Sequence, residues 1–164
     1  MRNHLLLFMA AGTLMLSGCT KTEKENKAAT PNSAASVSEN TLPENIKIEF
    51  SGEDKFTIKS ALLKVSLYGI DEKLADAPAT LITEQEYEQK SIPFTINLPI
   101  PKDTQSKINP KPVGPAKYYV TISWDSDGNG KAGEKGDIVI DYDKEIPNVK
   151  LNNETQKIYL KVLQ

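Results

Sequence analysis

Hydrophobic and polar residues alternate along most of the chain after residue 41, which is the pattern of β-strands with one buried face. The clearest example is IPFTINLPI, residues 92–100, where every second residue is Ile, Phe or Leu. The same period of two marks IKIEF (46–50), LKVSL (63–67), YYVTISW (118–124), IVIDY (138–142), NVKL (148–151) and KIYLKVL (157–163). The residues predicted to face inward in the longer segments are Leu63, Val65, Leu67, Ile92, Phe94, Ile96, Leu98, Ile100, Tyr118, Val120, Ile122, Trp124, Ile138, Ile140, Tyr142, Ile158, Leu160 and Val162.

The segment ATLITEQEYEQK, residues 79–90, is ambiguous. Its composition favours a helix and its position between strands favours a strand, and we predict a strand. Short strands separated by Gly, Pro and Asn turns predict an all-β domain over residues 42–164. We expect a single two-sheet β-sandwich of about seven or eight mostly antiparallel strands, because this length supports one hydrophobic core.

The first eighteen residues are typical of an export signal. Leu5 to Leu16 is an apolar run after Arg2, too short to span a bilayer as a helix. It ends in LSGC, residues 16–19, which resembles the lipobox of bacterial lipoproteins. The resemblance implies cleavage before Cys19 and attachment of diacylglycerol and an N-acyl chain to that residue, which would anchor the protein in a membrane. The alternatives are a plain signal peptide or a buried structural cysteine.

The residue after Cys19 is Thr20 rather than Asp, which in similar lipoproteins favours the outer membrane. We therefore expect an outer-membrane lipid anchor with the folded domain facing the periplasm. Residues 20–41 are rich in Ala, Ser, Thr, Asn, Lys and Glu, a composition that predicts a disordered tether. A helix through KTEKENKAA is the alternative. The predicted organisation is a signal peptide (1–18), the lipidated Cys19 with its tether (19–41) and a β-sandwich domain (42–164).

The chemistry open to the domain is narrow. His4 and Cys19 are the only histidine and cysteine, so the domain after the tether has neither. This excludes Ser-His-Asp and Cys-His catalysis and a zinc site of the usual nitrogen and sulfur ligands. Catalysis by a carboxylate pair remains open, although no pair is singled out, and we predict that the protein is not an enzyme. Without Arg2 the formal net charge falls from −2 to −3, which argues against a nucleic-acid partner, and no motif points to a small-molecule substrate.

Residues 62–147 resemble the YscW/YbaY group of small outer-membrane lipoproteins, which are related to type III secretion pilotins. The resemblance rests on LKVSL, on LADAPA at 74–79, on the PF-x-I-x-L strand at 93–98 and on YYVTISW. It implies a β-sandwich without catalytic activity. Some members of the group help a secretin ring reach or assemble in the outer membrane.

We therefore predict a non-catalytic binding or assembly module for an envelope protein, a secretin being one candidate. Pro93 and Pro99 cannot donate backbone hydrogen bonds, so their strand is predicted at a sheet edge. A partner could extend that edge, or the prolines could serve to prevent such pairing. The predicted partner edge consists of Phe94, Thr95, Ile96, Asn97 and Leu98.

Two other roles stay open. The protein could be a structural or stress-related envelope lipoprotein without a dedicated client. It could also be a secretion-linked inhibitor or immunity lipoprotein that presents residues 125–136 to a cleft.

The segment DSDGNGKAGEKGD, residues 125–137, partly matches the EF-hand calcium loop. Asp125, Asp127 and Asn129 fall at positions one, three and five, and the sharp-turn glycine at six is Gly130. Position twelve is a glycine instead of glutamate, and Asp137 follows it.

We predict a Ca²⁺ loop that closes a β-hairpin between the strands ending at Trp124 and beginning at Ile138. The predicted ligands are Asp125, Asp127, Asn129, Lys131 through its backbone carbonyl, and Asp137. Three carboxylates drawn together would repel one another without a cation. The alternative is a solvated hairpin loop, in which Asp, Asn and Gly act as turn formers and Lys131 and Lys135 balance the charge.

Overall fold

The computed structural model describes residues 42–73 and 78–164. The predicted signal peptide, Cys19, the tether and most of the LADAPA segment lie outside these residues. Among the described residues, no helix has the length and apolar character needed to cross a membrane. The elements are β1 (Asn45–Ser51), β2 (Leu62–Asp71), β3 (Thr80–Glu88), β4 (Phe94–Pro99), α1 (Thr104–Lys107), β5 (Ala116–Ser123), β6 (Ile138–Ile140), β7 (Asn148–Val149) and β8 (Thr155–Val162).

The eight strands form two four-stranded sheets. The first sheet has the order β4-β1-β8-β6 and the second has the order β3-β2-β5-β7. Every neighbouring pair is antiparallel except β1 and β8, which run parallel. The predicted all-β sandwich is confirmed, and so is the strand within residues 79–90. That strand contains a β-bulge where its register with β2 shifts between Leu67 and Tyr68.

The core lies between the inner faces of the two sheets, as the alternation predicts. The inward residues that are buried are Leu63, Val65, Leu67, Ile96, Leu98, Ile100, Val120, Trp124, Ile138, Ile140, Ile158 and Leu160. Ile92, Phe94, Tyr118 and Ile122 are partly buried and pack against them, and Val162 is half-buried. β1 adds Ile46, Ile48 and Phe50, each fully buried.

Aromatic packing fixes one end of this core. The Phe50 and Phe94 rings stack with centroids 4.9 Å apart, and Phe94 meets Trp124 edge to face at 6.1 Å. The Trp124 indole N–H donates a hydrogen bond of 2.9 Å to the Ser60 carbonyl, so its one polar atom is satisfied although the side chain is buried. This cluster lies directly before the acidic segment that begins at Asp125.

Two predictions about this region are wrong. Tyr142 does not face inward: β6 ends at Ile140, the chain turns through residues 141–144, and 56% of Tyr142 is exposed. The loop after Trp124 does not close a hairpin either. β5 pairs with β2 and β7, whereas β6 pairs with β8 in the other sheet, so residues 124–137 cross from one sheet to the other. Period-two alternation identifies strands but does not say which sheet each strand joins.

Candidate functional site

The segment of residues 125–137, here called the acidic loop, brings three predicted metal ligands together. One carboxylate oxygen from each of Asp125, Asp127 and Asp137 lies within 4.8 Å of the other two. Oxygens that bind one Ca²⁺ at about 2.3–2.6 Å can be at most about 5 Å apart, so these three could share one ion. The three carboxylates thus converge in the structure, and binding of an ion stays a prediction.

Asp137 organises the interior of the acidic loop. Its side chain is fully buried, and Oδ1 accepts hydrogen bonds from the Ser126 N–H (2.9 Å) and the Asp127 N–H (3.3 Å). Oδ2 accepts one from the Glu134 N–H at 3.1 Å. The Ser126 hydroxyl donates to Asp137 Oδ1 at 3.3 Å and accepts from the Ile138 N–H at 2.8 Å. Backbone donors thus compensate the buried carboxylate, and the start of the loop is fastened to its end.

Asp125 and Asp127 hold the turn of the acidic loop. Asp125 accepts from the N–H groups of Asn129 and Gly130, each at 2.9 Å, and Asp127 accepts from the Asn129 N–H at 3.0 Å. Gly130 has φ of +90°, a conformation that L side chains rarely adopt. The glycine at template position six therefore makes the sharp turn that the calcium-loop pattern requires.

The Asn129 side chain points its two polar atoms at the protein. Its carbonyl oxygen accepts from the Lys131 N–H at 2.8 Å, and its amide nitrogen donates to Asp127 Oδ2 at 3.3 Å. The Lys131 ammonium pairs with Glu134 at 3.4 Å. Of the five predicted ligands, the geometry thus gathers the three carboxylates, while ligation by Asn129 and by the Lys131 carbonyl remains a prediction. Ser126 is a structural partner that no sequence signal indicated.

The predicted partner edge lies on β4, which is an edge strand because it pairs only with β1 among the described strands. The Ile100 N–H donates to the Glu44 carbonyl at 2.8 Å, which sets the phase of the antiparallel ladder. Every second residue counted back from Ile100 forms backbone hydrogen bonds with β1. Thr95 and Asn97 lie between these residues, so their backbone groups point away from β1. Pro93 and Pro99 also occupy outward positions, and as prolines they have no N–H to donate.

β3 and β4 lie on the same side of the sandwich, where Tyr87 connects them. The Tyr87 hydroxyl donates to the backbone carbonyl of Asn97 at 2.9 Å. Burial raises the pKa of Tyr87, which keeps this hydroxyl protonated and able to donate at neutral pH. The outward groups of β4 that take part in no described hydrogen bond are the N–H and carbonyl of Thr95, the N–H of Asn97 and the carbonyl of Pro99.

An open groove of about 1100 Å³ lies beside α1. Apolar and charged side chains mix along it, namely Leu42, Glu44, Lys102, Asp103, Tyr118 and Leu151. The Asp103 carboxylate of the groove lies 3.9 Å from the Lys107 ammonium. The groove is open to solvent, whereas small-molecule sites usually enclose most of their ligand.

Comparison with known proteins returns one structural neighbour. No protein-family model matches the chain, and no curated protein matches it significantly. An alternative pilotin from the type II secretion system of Vibrio cholerae is similar in structure, with 19% identity, a TM-score of 0.49 and coverage of 73% of this chain and 96% of that chain. A likeness at this level assigns neither family nor partner, and the resemblance to the YscW/YbaY group stays a prediction.

Proposed function

We propose that this protein is a non-catalytic protein-binding module of the bacterial envelope. It is held at the outer membrane by lipid on Cys19, and its domain faces the periplasm. The observation that carries the binding role is the β4 edge, where Thr95 and Asn97 direct backbone donors away from the sheet. Such groups are available to a strand added by a partner.

The partner is an envelope protein, and the resemblance to the YscW/YbaY group makes a secretin one candidate. Pro93 and Pro99 limit the outward donors of β4 to two residues, so strand addition here would be short. A short edge contact suits a partner that is escorted and then released more than one that is held permanently. If the protein is instead a lipoprotein without a client, it should capture no specific protein. If it is an inhibitor or immunity lipoprotein, it should capture a toxin or a hydrolase.

The test is capture from detergent-solubilised membranes by the full chain and by a variant with Thr95→Glu and Asn97→Glu. Both side chains are exposed, so the two charges should weaken recovery of the partner and change the free energy of unfolding by no more than about 0.5 kcal/mol each. The matched control carries Thr57→Glu and Asn153→Glu, which add the same charge at exposed loop positions. Equal recovery by both variants would exclude the β4 edge, and no specific protein with the unaltered chain would contradict the binding role.

A second role is favoured by the three carboxylates of the acidic loop. We propose that Asp125, Asp127 and Asp137 bind Ca²⁺, with Asn129 and the Lys131 carbonyl completing the site. Without a closing glutamate the affinity should be modest, with a Kd on the order of 10⁻⁴ M. Calorimetric titration of the full chain should show binding of calcium in preference to magnesium and no binding after Asp127→Ala. Absence of heat at millimolar calcium would leave the loop as a solvated connection.

A further inference from the structure

β3 presents a longer open edge than β4. The Gln89 N–H donates to the Ala61 carbonyl at 2.8 Å, which sets the phase of the ladder between β3 and β2. Every second residue counted back from Gln89 forms backbone hydrogen bonds with β2. Glu88, Glu86 and Glu84 lie between these residues, so their N–H and carbonyl groups point away from β2. Among the described strands β3 pairs with β2 alone, and residues 80–88 contain no proline.

The same three residues form an acidic row on the outer face of the sheet. They pair across the ladder with Leu62, Lys64 and Ser66, whose neighbours Leu63 and Val65 point into the core. All three glutamates are exposed. The row therefore combines outward backbone groups with outward negative charge.

One lysine partly compensates this row. Lys64 lies 3.3 Å from Glu84 and 4.0 Å from Glu86, and the Ser66 hydroxyl donates to Glu84 at 2.8 Å. The Ser66 bond lowers the pKa of Glu84, so that residue remains ionised at neutral pH. Glu88 has no ion pair with a described residue. Three carboxylates with one ammonium leave a local excess of negative charge.

The charge decides which strand can pair with β3. If a second copy paired antiparallel through the same edge, Glu86 would face Glu86 and Glu84 would face Glu88. Like charges directly opposite each other destabilise a ladder, so the edge disfavours its own copy. A strand with Lys or Arg at alternate positions would place opposite charges at each of those contacts and gain from every one.

An apolar row continues the outer face beyond the glutamates. Leu81 is 46% exposed and pairs with Tyr68, which stacks on Tyr119 with ring centroids 5.5 Å apart and planes inclined by 14°. A strand added to β3 would extend this row by one apolar or aromatic side chain. The row gives the added strand a register, because its apolar residue must align with Leu81 and its bases with the glutamates.

We propose that β3 binds an extended, basic segment of another protein by strand addition, with Lys or Arg residues facing Glu84, Glu86 and Glu88. The proposal rests on the proposed function as a binding module and names the chemistry of its partner. Tyr87 keeps β3 beside β4, so the partner segment would lie along the side of the sandwich where both edge strands are found.

The test uses the full chain and a short peptide in which lysine alternates with threonine, with a peptide that has glutamate for lysine as its counterpart. Hydrogen exchange read by NMR should show new protection of the amides of Glu84, Glu86 and Glu88 with the lysine peptide alone. Replacing all three by Gln should weaken binding about tenfold, since one cross-strand ion pair accounts for a factor of roughly 1.5–5. The matched control has Gln in place of three exposed glutamates elsewhere, Glu44, Glu72 and Glu145. It should bind the lysine peptide as tightly as the unaltered chain does.

Three results would overturn the proposal. They are equal binding of both peptides, protection that appears at Thr95 and Asn97 instead of on β3, and unchanged affinity of the triple glutamine variant. None of these results contradicts the proposed function. The proposed function is contradicted by a separate result, namely that the unaltered chain captures no envelope protein. Thermal unfolding followed by circular dichroism verifies that the triple variant is folded before its affinity is compared.

Discussion

Replacing Asp137 by Asn separates the structural role of this buried residue from its proposed metal role. The substitution keeps the shape of the side chain and exchanges one carboxylate oxygen for an NH₂ group. If the remaining oxygen accepts from Ser126 and Asp127, the new NH₂ group faces the Glu134 N–H, and two donors then oppose each other. Residue 137 is fully buried, so the new NH₂ group is left without an acceptor, and a buried donor without a partner costs about 1–3 kcal/mol of the free energy of unfolding.

Asp125→Asn is the matched control. The two N–H groups bonded to Asp125 belong to Asn129 and Gly130, both of which are exposed, so water can replace the lost acceptor. In chelator, Asp125→Asn should therefore cost about 0.5 kcal/mol or less, clearly below the cost of Asp137→Asn.

Calcium supplies the second comparison. With a Kd of about 10⁻⁴ M and calcium about fifty times higher, the unaltered chain should gain roughly 2 kcal/mol, and both variants should gain much less. Urea unfolding of the unaltered chain and the two variants, each in chelator and in calcium, measures the six free energies of unfolding. Trp124 is the single tryptophan and is buried next to the acidic loop, so its fluorescence reports the transition.

The burial of Asp137 and the binding of calcium are tested by separate results. Equal costs of Asp125→Asn and Asp137→Asn in chelator would refute the argument from burial. An unfolding midpoint of the unaltered chain that is the same in chelator and in calcium would refute the metal site and leave the burial argument untouched.

Two further predictions concern the anchor and the response to acid. Cys19→Ala should abolish palmitate labelling and leave the signal uncleaved, and labelling that persists would contradict the lipid anchor. Thr20→Asp should move the protein toward the inner membrane in a sucrose gradient, and an unchanged position would contradict the predicted sorting. Hydrogen bonds from the backbone N–H groups of Val113 and Lys73 hold the pKa of buried Asp71 below its usual value. Its contribution to stability is therefore complete above about pH 5 and is lost as the pH falls through the lowered pKa. The difference in urea midpoint between the unaltered chain and Asp71→Asn should be constant from neutral pH to about pH 5 and shrink in stronger acid.

Local periodicity predicted the strands and the core well because burial of one face constrains every second side chain. Ile96 and Leu98 are buried for this reason, and Pro93 and Pro99 correctly indicated an edge strand. The partners of a strand depend on contacts between residues far apart in the chain. For that reason the crossing of residues 124–137 between the sheets was not predicted, nor was α1, which is only four residues long.

The acidic loop was predicted in part for the same reason. The spacing of Asp125 and Asp127 follows from a local turn, and their approach to Asp137 required only a loop that returns to its start. The role of Ser126 depends on the buried position of Asp137 and could not be seen in the sequence. The alternating glutamates of TEQEYE were visible there, but their meaning as an edge needed the sheet order.

The central position of β1 has a mechanical consequence for a domain held by its N-terminal side. The chain enters the sandwich at β1, which lies between β4 and β8 and pairs with them over six and five residues. Ladder hydrogen bonds run across the strands, so a pull along β1 shears the bonds on both sides together instead of opening them one at a time. If the proposed membrane anchor and a bound partner pull on the domain, the sandwich should stay intact and the contact with the partner should yield first.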